Sequence, residues 1–134
     1  MSADGMITLP SNHGPNETMS RLEAVVKTKG MSVFARIDHA AGAAQIGTLL
    51  RPTEVLIFGN PKGGTPLMQW TQTLGLDLPL RALVWQNASG QTFLSYNDPA
   101  WLAKRFAIGN SLAASVNALS ATLDAVARTA TSAP

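Results

Sequence analysis

The C-terminal third of the chain carries one continuous apolar stripe, and this stripe limits the folds that the chain can adopt. Its members recur at alternating steps of four and three, the spacing of one face of an α-helix: Leu112, Val116, Leu119, Leu123 and Val126. A long helix with one apolar face must bury that face against another element. Core packing is therefore the favoured interpretation. A coiled-coil dimer seam is the alternative, although the stripe is too short for many heptads.

Five apolar segments that precede the stripe are typical of β-strands. They are residues 6–9, 31–37, 55–58, 80–86 and 91–96. Only four residues separate the last two segments, which predicts a hairpin and antiparallel pairing. Alternation in the second segment places Val33, Ala35 and Ile37 on one face. The layout predicts an α+β fold, in which an antiparallel sheet carries helices on one face, including the long C-terminal helix.

Helix start and stop signals separate these segments. Asn16 is expected to cap a first helix, and Gly30, which follows two lysines, is expected to end it. Asp38 is expected to cap a short alanine-rich turn of helix. Thr65 followed by Pro66 predicts the start of the next helix.

The size and charge of the chain exclude several classes of protein. Its 134 residues predict one domain over residues 1–134, with flexible tails at 1–5 and 129–134. Ten Lys and Arg against eight Asp and Glu leave a net charge of +2, spread along the chain, which argues against nucleic acid as a partner. There is no cysteine, which excludes disulfides and thiolate metal sites. No apolar stretch reaches the ~20 residues of a membrane-spanning helix.

A glycine-rich segment follows the third strand: Phe58-Gly59-Asn60-Pro61-Lys62-Gly63-Gly64-Thr65-Pro66. Free backbone N–H groups at a helix start favour an anion. We predict that the amides of Gly63, Gly64 and Thr65 hold a small phosphate or carboxylate, with charge supplied by Lys62. The alternative is a tight turn in which the glycines supply positive φ and the lysine is solvated. The lysine precedes the glycine pair, so this is not a Walker loop.

The adjacent pair Asp38-His39 is the second candidate site. In the functional interpretation, His39 is a general base or a ligand donor near neutral pH, with Asp38 or Asp77 as the acid. In the structural alternative, Asp38 caps the following turn, His39 bonds to backbone and Asp77 fixes the turn that contains it. His13 lies in a loop with no expected partner. Two histidines without acids at ligand spacing predict no zinc site, and no cofactor is predicted.

The remaining polar and aromatic candidates favour structural roles. Asp98 is expected to cap a helix, and Ser95 lacks the sequence context of a serine nucleophile. Trp70, Trp85 and Trp101 are expected to be core or interface anchors.

Six groups of residues over positions 7–106, taken in order, resemble the bacterial family catalogued as domain of unknown function 302. They are Glu17-Thr18 with Arg21-Leu22; Val33-Phe34-Ala35-Arg36-Ile37-Asp38-His39-Ala40; Arg51-Pro52-Thr53; Phe58-Gly59-Asn60-Pro61-Lys62 with Gly64-Thr65-Pro66-Leu67-Met68; Leu76-Asp77-Leu78-Pro79-Leu80; and Ser95-Tyr96-Asn97-Asp98-Pro99. Trp70 departs from the family pattern, which has a smaller residue there.

The resemblance implies a TBP-like α+β fold, in which a curved antiparallel sheet packs on helices in the order β-α-β(4)-α with a short inserted helix. It also implies that the protein is often a homodimer, and it implies no established activity. Some family members carry export signals ahead of a start similar to Ala3-Asp4-Gly5-Met6. That similarity implies a periplasmic location after signal removal, with the cytoplasm as the alternative.

Three functions follow from these observations. We predict a non-enzymatic module that binds a small molecule or anion at the mouth of an apolar pocket. The expected ligand-binding residues are Asn60, Lys62, Gly63, Gly64, Thr65, His39 and Asp38. The first alternative is a small enzyme that transfers protons with His39 and an Asp, although no catalytic residue is assigned. The second alternative is a dimeric structural or partner-binding protein.

Overall fold

A computed structural model describes residues 3–132 of the chain. Its sheet contains β1 (Met6–Pro10), β2 (Ser32–Asp38), β3 (Thr53–Gly59), β4 (Leu80–Gln86) and β5 (Thr92–Asn97). The spatial order is β1-β5-β4-β3-β2, and each neighbouring pair is antiparallel. The predicted antiparallel α+β class and the hairpin between the last two strands are confirmed.

The helices lie between and after these strands. They are α1 (Pro15–Thr28), α2 (His39–Gln45), α3 (Pro61–Trp70), α4 (Pro99–Arg105) and α5 (Ala113–Thr131), with 3₁₀ turns at Gln72–Leu76 and Asn110–Leu112. The predicted long C-terminal helix is therefore confirmed. No helix within residues 3–132 combines the length and the apolarity that crossing a bilayer requires.

The core lies between one face of the sheet and the pair α1 and α5, which pack against each other. Most of the fully buried large side chains come from both helices and from the three central strands: Met19, Leu22, Val26, Leu56, Phe58, Val84, Leu94, Leu123 and Val126. Full burial of one such side chain contributes about 1.5–3 kcal/mol. These contacts hold the two helices on the sheet.

Strand β2 contains one extra residue that the alternating sequence pattern does not reveal. The register of its pairing with β3 shifts between Val33 and Ala35, with Phe34 between them. Val33 packs against the helix-covered core, whereas Ile37 pairs with Val55 on the opposite face. The prediction that Val33 and Ile37 share a face is therefore wrong, because a bulge reverses the alternation.

The C-terminal end of α5 is held by the start of the chain. The backbone N–H of Asn12 donates to the Thr131 carbonyl oxygen at 2.9 Å, and the Arg21 guanidinium donates to the Thr129 carbonyl oxygen at 3.0 Å. These bonds satisfy carbonyl groups that the last turn of a helix leaves unpaired. Ala130 is fully buried. The helix thus continues where the flexible tail from residue 129 was predicted, and residues 133 and 134 lie outside the described part.

The start of the described chain also packs against the rest of the domain. Residues 1 and 2 lie outside the described part. Gly5 has a φ of 75°, and its carbonyl oxygen accepts from the Asp98 N–H at 2.8 Å. A Cβ atom at position 5 would overlap the indole of Trp101. Gly5, which was predicted to belong to a flexible tail, is therefore packed against α4.

Candidate functional site

A groove of about 1010 Å³ lies between the end of α1, the start of β2, and helices α3 and α5. Large apolar side chains form much of its lining: Met31, Phe34, Met68, Leu78, Leu80 and Leu119. Its volume is at the upper end of the range of roughly 300–1,000 Å³ that ligand pockets occupy. The glycine-rich segment over residues 60–65 also lines this groove, so the sequence prediction and the groove fall on the same part of the chain.

The amides of that segment are bonded inside the helix, which contradicts the predicted anion site. Helix α3 begins directly after Asn60, whose Oδ1 accepts from the Lys62 N–H at 2.9 Å. The N–H groups of Gly63 and Gly64 both donate to the Asn60 carbonyl oxygen, at 2.9 and 3.3 Å. Thr65 lies within the helix rather than at its cap. The predicted cradle of free amides is therefore wrong.

Two competing start signals explain why the helix begins earlier than predicted. Asn60-Pro61 and Thr65-Pro66 each place a capping residue before a proline. The first prevails in the structure, and α3 then carries Leu67 into the core, where it is 3 % exposed. Pro66, which lacks an N–H group, is accommodated inside the helix.

Gly63 and Gly64 instead allow α3 to lie close to its neighbours. A Cβ atom at position 63 would lie 3.1 Å from Leu119 Cδ2 on α5, and one at position 64 would lie 3.3 Å from Leu78 Cδ1. Neither glycine is among the residues with positive φ. The alternative prediction, a turn that needs positive φ, is therefore wrong as well. The two glycines set the distance between the walls of the groove.

Polar groups on the groove are few, and those with a charge are positive. Lys29 stands at the C-terminal end of α1 and Lys62 in the first turn of α3, and both are exposed. Hydroxyl groups come from Thr28, Thr65, Ser115 and Thr122. The described residues that line the groove include no Asp or Glu. The groove is thus an apolar surface with a positive charge.

Asp38 and His39 lie away from this groove. Asp38 Oδ1 accepts from the Ala41 N–H at 2.9 Å and caps α2, as the structural alternative predicted. Asp38 also borders a separate cavity of about 140 Å³. His39 is exposed and lines neither this cavity nor the groove. The structure does not bring this pair to the glycine-rich segment.

Glu54, which pairs with Asp38 across β2 and β3, belongs to a set of ion pairs that joins α1 to the sheet. Arg36 Nε lies 2.8 Å from Glu54 Oε2, and Arg36 Nη1 lies 3.5 Å from Glu23 Oε1. The hydrogen bond to Glu54 raises the pKa of Arg36. The hydrogen bond from Lys27 lowers the pKa of Glu23. These groups stabilise one another as ions and serve a structural role.

The other titratable candidates also have structural partners. Asp77 Oδ2 lies 2.7 Å from Arg105 Nη1, so it connects its turn to α4. His13 Nε2 lies 2.6 Å from the Ser132 carbonyl oxygen, so the expectation that His13 has no partner is wrong. Within residues 3–132, no three His, Asp or Glu side chains gather closely enough to hold a metal ion.

Ser95 belongs to a hydrogen-bonded cluster on the sheet. Its Oγ accepts from Trp85 Nε1 at 2.9 Å and lies 2.8 Å from Thr8 Oγ1. Trp85 stacks on Phe93 with the ring centroids 4.8 Å apart. Trp70, in contrast, is 55 % exposed and is not a core residue. The Ser95 hydroxyl is committed to this cluster.

Sequence reasoning missed the residues that make the groove apolar and one of its two lysines. Phe34 sits in a bulge that periodicity does not detect, and Leu119 was assigned to the core stripe. Lys29 was interpreted only as a helix-end residue. A usable signal existed, because antiparallel pairing of β2 with β3 brings the segment that follows β3 beside the segment that precedes β2.

A family model described as "Domain of unknown function DUF302" matches residues 7–130 of the chain. A solved protein described as "Crystal structure of uncharacterized conserved protein DUF302 from Bacillus stearothermophilus" is similar, with a TM-score of 0.84 and 22 % identity. That match covers 96 % of this chain and 99 % of the other. At this identity the likeness establishes the fold.

Curated relatives from three Brucella species carry the names of fluoride channels. "Fluoride-specific ion channel FluC 1" of Brucella suis biovar 1 (strain 1330) is 50 % identical over 115 residues, which are 86 % of this chain and 45 % of that protein. "Fluoride-specific ion channel FluC 2" of Brucella melitensis biotype 1 (strain ATCC 23456) is 50 % identical over 86 % of this chain and 43 % of that protein. The chain spans less than half the length of these curated relatives.

Proposed function

The chain belongs to the DUF302 family, whose description names no activity, and from its groove we propose that it is a non-enzymatic module that binds a small organic molecule. The observation that carries the proposal is the open groove of about 1010 Å³ between α3 and α5. Ligand sites are typically concave and mostly apolar, with a few polar groups that orient the ligand. The groove has this composition.

The side chains that line the groove suit ligands whose apolar parts differ in size and shape. Met31 and Met68 both line it, and methionine side chains adapt to irregular apolar partners. Gly63 and Gly64 allow α3 to lie close to the side chains of Leu119 and Leu78, which also line the groove. A ligand would therefore contact mainly apolar side chains.

Binding is favoured over catalysis because the candidate proton-transfer groups do not converge on the groove. Asp38, His39 and Asp77 are all missing from the described residues that line it. Asp38 and Asp77 also accept hydrogen bonds from the Ala41 N–H and the Arg105 guanidinium. An active site requires such groups to face one concave site together.

Fluoride is the ligand that the names of the Brucella relatives bring to mind, and the groove does not suit it. A bare fluoride ion is best held by several N–H donors that converge on one point. The amides of Gly63 and Gly64 would be the nearest such donors, and both are bonded to Asn60. We therefore propose an organic ligand for this domain. In the longer relatives, fluoride conduction would belong to the part that this chain does not match.

The decisive experiment introduces a large side chain at an exposed position that lines the groove. Ala118 on α5 lines the groove and is exposed, whereas Ala121 on the same helix is exposed and does not line it. The neutral fluorophore N-phenylnaphthylamine is titrated into the wild type, Ala118→Trp and Ala121→Trp. We expect bright fluorescence with the wild type and Ala121→Trp, and a loss of affinity of about tenfold or more with Ala118→Trp.

Circular dichroism and thermal melts establish that the two variants are folded. A wild type that does not bind the fluorophore would overturn the proposal. Equal affinity of the two tryptophan variants would do so too, because the fluorophore would then bind elsewhere.

We also propose a homodimer that forms through the sheet face opposite α1 and α5. Half-buried apolar side chains occupy the central strands of that face: Val55, Ile57, Leu83, Trp85 and Phe93. The chain exposes 7656 Å² of surface, about 900 Å² more than the ~6,700 Å² expected for a folded monomer of this length. Each partner in a standard interface buries about 800 Å². The excess is similar in size to one side of such an interface.

For the compartment, we propose the periplasm. The support is the family resemblance, since some family members carry export signals.

A further inference from the structure

We propose that the occupant of the groove is a single-chain amphipathic carboxylate, with its head group between Lys29 and Lys62 and its hydrocarbon chain along α5. This inference rests on the proposed binding function and specifies the ligand. Both lysines line the groove, and the described lining contains no acidic residue to compensate them. The net charge of the lining therefore complements an anion.

The topology places the two lysines at the same end of the groove. Ser32, the first residue of β2, is paired with Gly59, the last residue of β3. Lys29 precedes Ser32 by three positions, and Lys62 follows Gly59 by three. Because the paired strand ends are neighbours, both lysines lie near the same end of this strand pair.

Helix α5 leads away from that charged end. The N–H of Asn12, just before α1, donates to Thr131 at the end of α5, so the two helices run antiparallel. Thr28 at the end of α1 and Thr122 on α5 both line the groove. From Thr122 the lining continues along α5 to Ser115.

The side chains along this path are apolar. Leu119 on α5, Met68 on α3 and Leu78 all line the groove. The groove thus has its lysines at one end and apolar side chains along the rest. A ligand with one charged end and an apolar body matches this arrangement. A compact dianion such as phosphate would leave the apolar part of the groove unused.

Exposed lysines contribute little to binding by themselves, so most of the affinity would come from the hydrocarbon chain. Burial of each methylene is worth roughly a fourfold gain in affinity. The charges would then select carboxylates over neutral and cationic amphiphiles of the same length. Affinity should rise with chain length from octanoate to decanoate to dodecanoate.

The test measures displacement of N-phenylnaphthylamine by dodecanoate, dodecanol and dodecyltrimethylammonium. The variants are Lys29→Met with Lys62→Met, which removes both charges and keeps unbranched apolar side chains, and Lys104→Met as the control. Lys104 is exposed on α4 and does not line the groove. We expect dodecanoate to bind the double variant about tenfold more weakly, with dodecanol unchanged and Lys104→Met like the wild type.

The outcomes separate this inference from the proposed function. If dodecanoate binds the double variant as tightly as the wild type, or if dodecanol and the cation bind the wild type as tightly as dodecanoate, the carboxylate assignment is overturned. In that case the sensitivity of fluorophore binding to Ala118→Trp still supports a ligand groove. If Ala118→Trp has no effect on any of these probes, the proposed function itself fails.

Discussion

Gly30 and Gly42 have the same open space around them but differ in backbone conformation. A Cβ atom at either position would meet no atom within 4 Å. Gly30 has a φ of 81° at the end of α1, whereas Gly42 lies inside α2 and is not among the residues with positive φ. Substitution by alanine therefore isolates the backbone effect from packing.

We expect Gly30→Ala to lower the free energy of unfolding by about 1 kcal/mol, because an L-residue is strained at positive φ. Gly42→Ala should raise it by up to about 1 kcal/mol, because alanine is the better helix former. Urea denaturation of both variants measures the difference. Equal effects of the two substitutions would contradict the conformations assigned to these glycines.

Some single-residue signals succeeded, where the side chain and its target are close in the sequence. Others failed: Asn16 was expected to cap α1 but lies inside that helix, which begins at Pro15 after Gly14. The end of α1 at Gly30 and the caps Asp38 and Asp98 were predicted from local patterns and are confirmed. The partner of His13 is the Ser132 carbonyl oxygen, 119 positions away. No local pattern encodes such a contact.

At the scale of one element, the start of α3 depends on which of two similar signals forms the cap. Asn60 holds the Lys62 N–H with its side chain, whereas Thr65 lies within the helix. We expect Asn60→Ala to destabilise the protein by about 1 kcal/mol, the usual effect of losing an N-cap. Thr65→Ala should change stability by less than about 0.5 kcal/mol, because an exposed helical position loses no cap.

Chemical denaturation of these two variants, with circular dichroism as the signal, makes the comparison direct. A larger loss for Thr65→Ala than for Asn60→Ala would mean that the helix begins at the second signal. The amides of residues 63–65 would then be free, and the anion site that the sequence suggested would return.

The bulge at Phe34 cannot be predicted from the alternation of side chains along a strand. Alternating side chains predict which residues share a face only while the pairing register is constant. The shift between Val33 and Ala35 moves Ile37 to the uncovered face and leaves Phe34 on the groove. One inserted residue thus changes both the site and the sheet surface.

At the scale of the whole molecule, the class of fold could be predicted because every strand and the C-terminal helix have strong local periodicity. The groove could not be predicted, since its lining comes from six elements spread over the chain from α1 to α5. Lys29 and Leu119 are separated by most of the chain and line the same groove. Only their packing brings an apolar wall and a charged end together.

The sheet face opposite α1 and α5 leads to a prediction about the assembly of the whole molecule. Strand β4 lies at the centre of the sheet, and Leu83 is a half-buried residue on it that points away from α1 and α5. In a two-fold symmetric dimer the same face is present on both partners, so one substitution places two charges in the interface. We expect Leu83→Lys to produce a monomer and the wild type to have twice the monomer mass in light scattering.

Ile46→Lys is the matched control, because Ile46 is 80 % exposed and lies outside the strands. It should leave the dimer unchanged, and far-UV circular dichroism should show that both lysine variants keep the native fold. A wild type that stays monomeric at high concentration would exclude this assembly. A dimer that survives Leu83→Lys would place the interface on another surface, since two buried, unpaired lysines at the centre of a contact are strongly unfavourable.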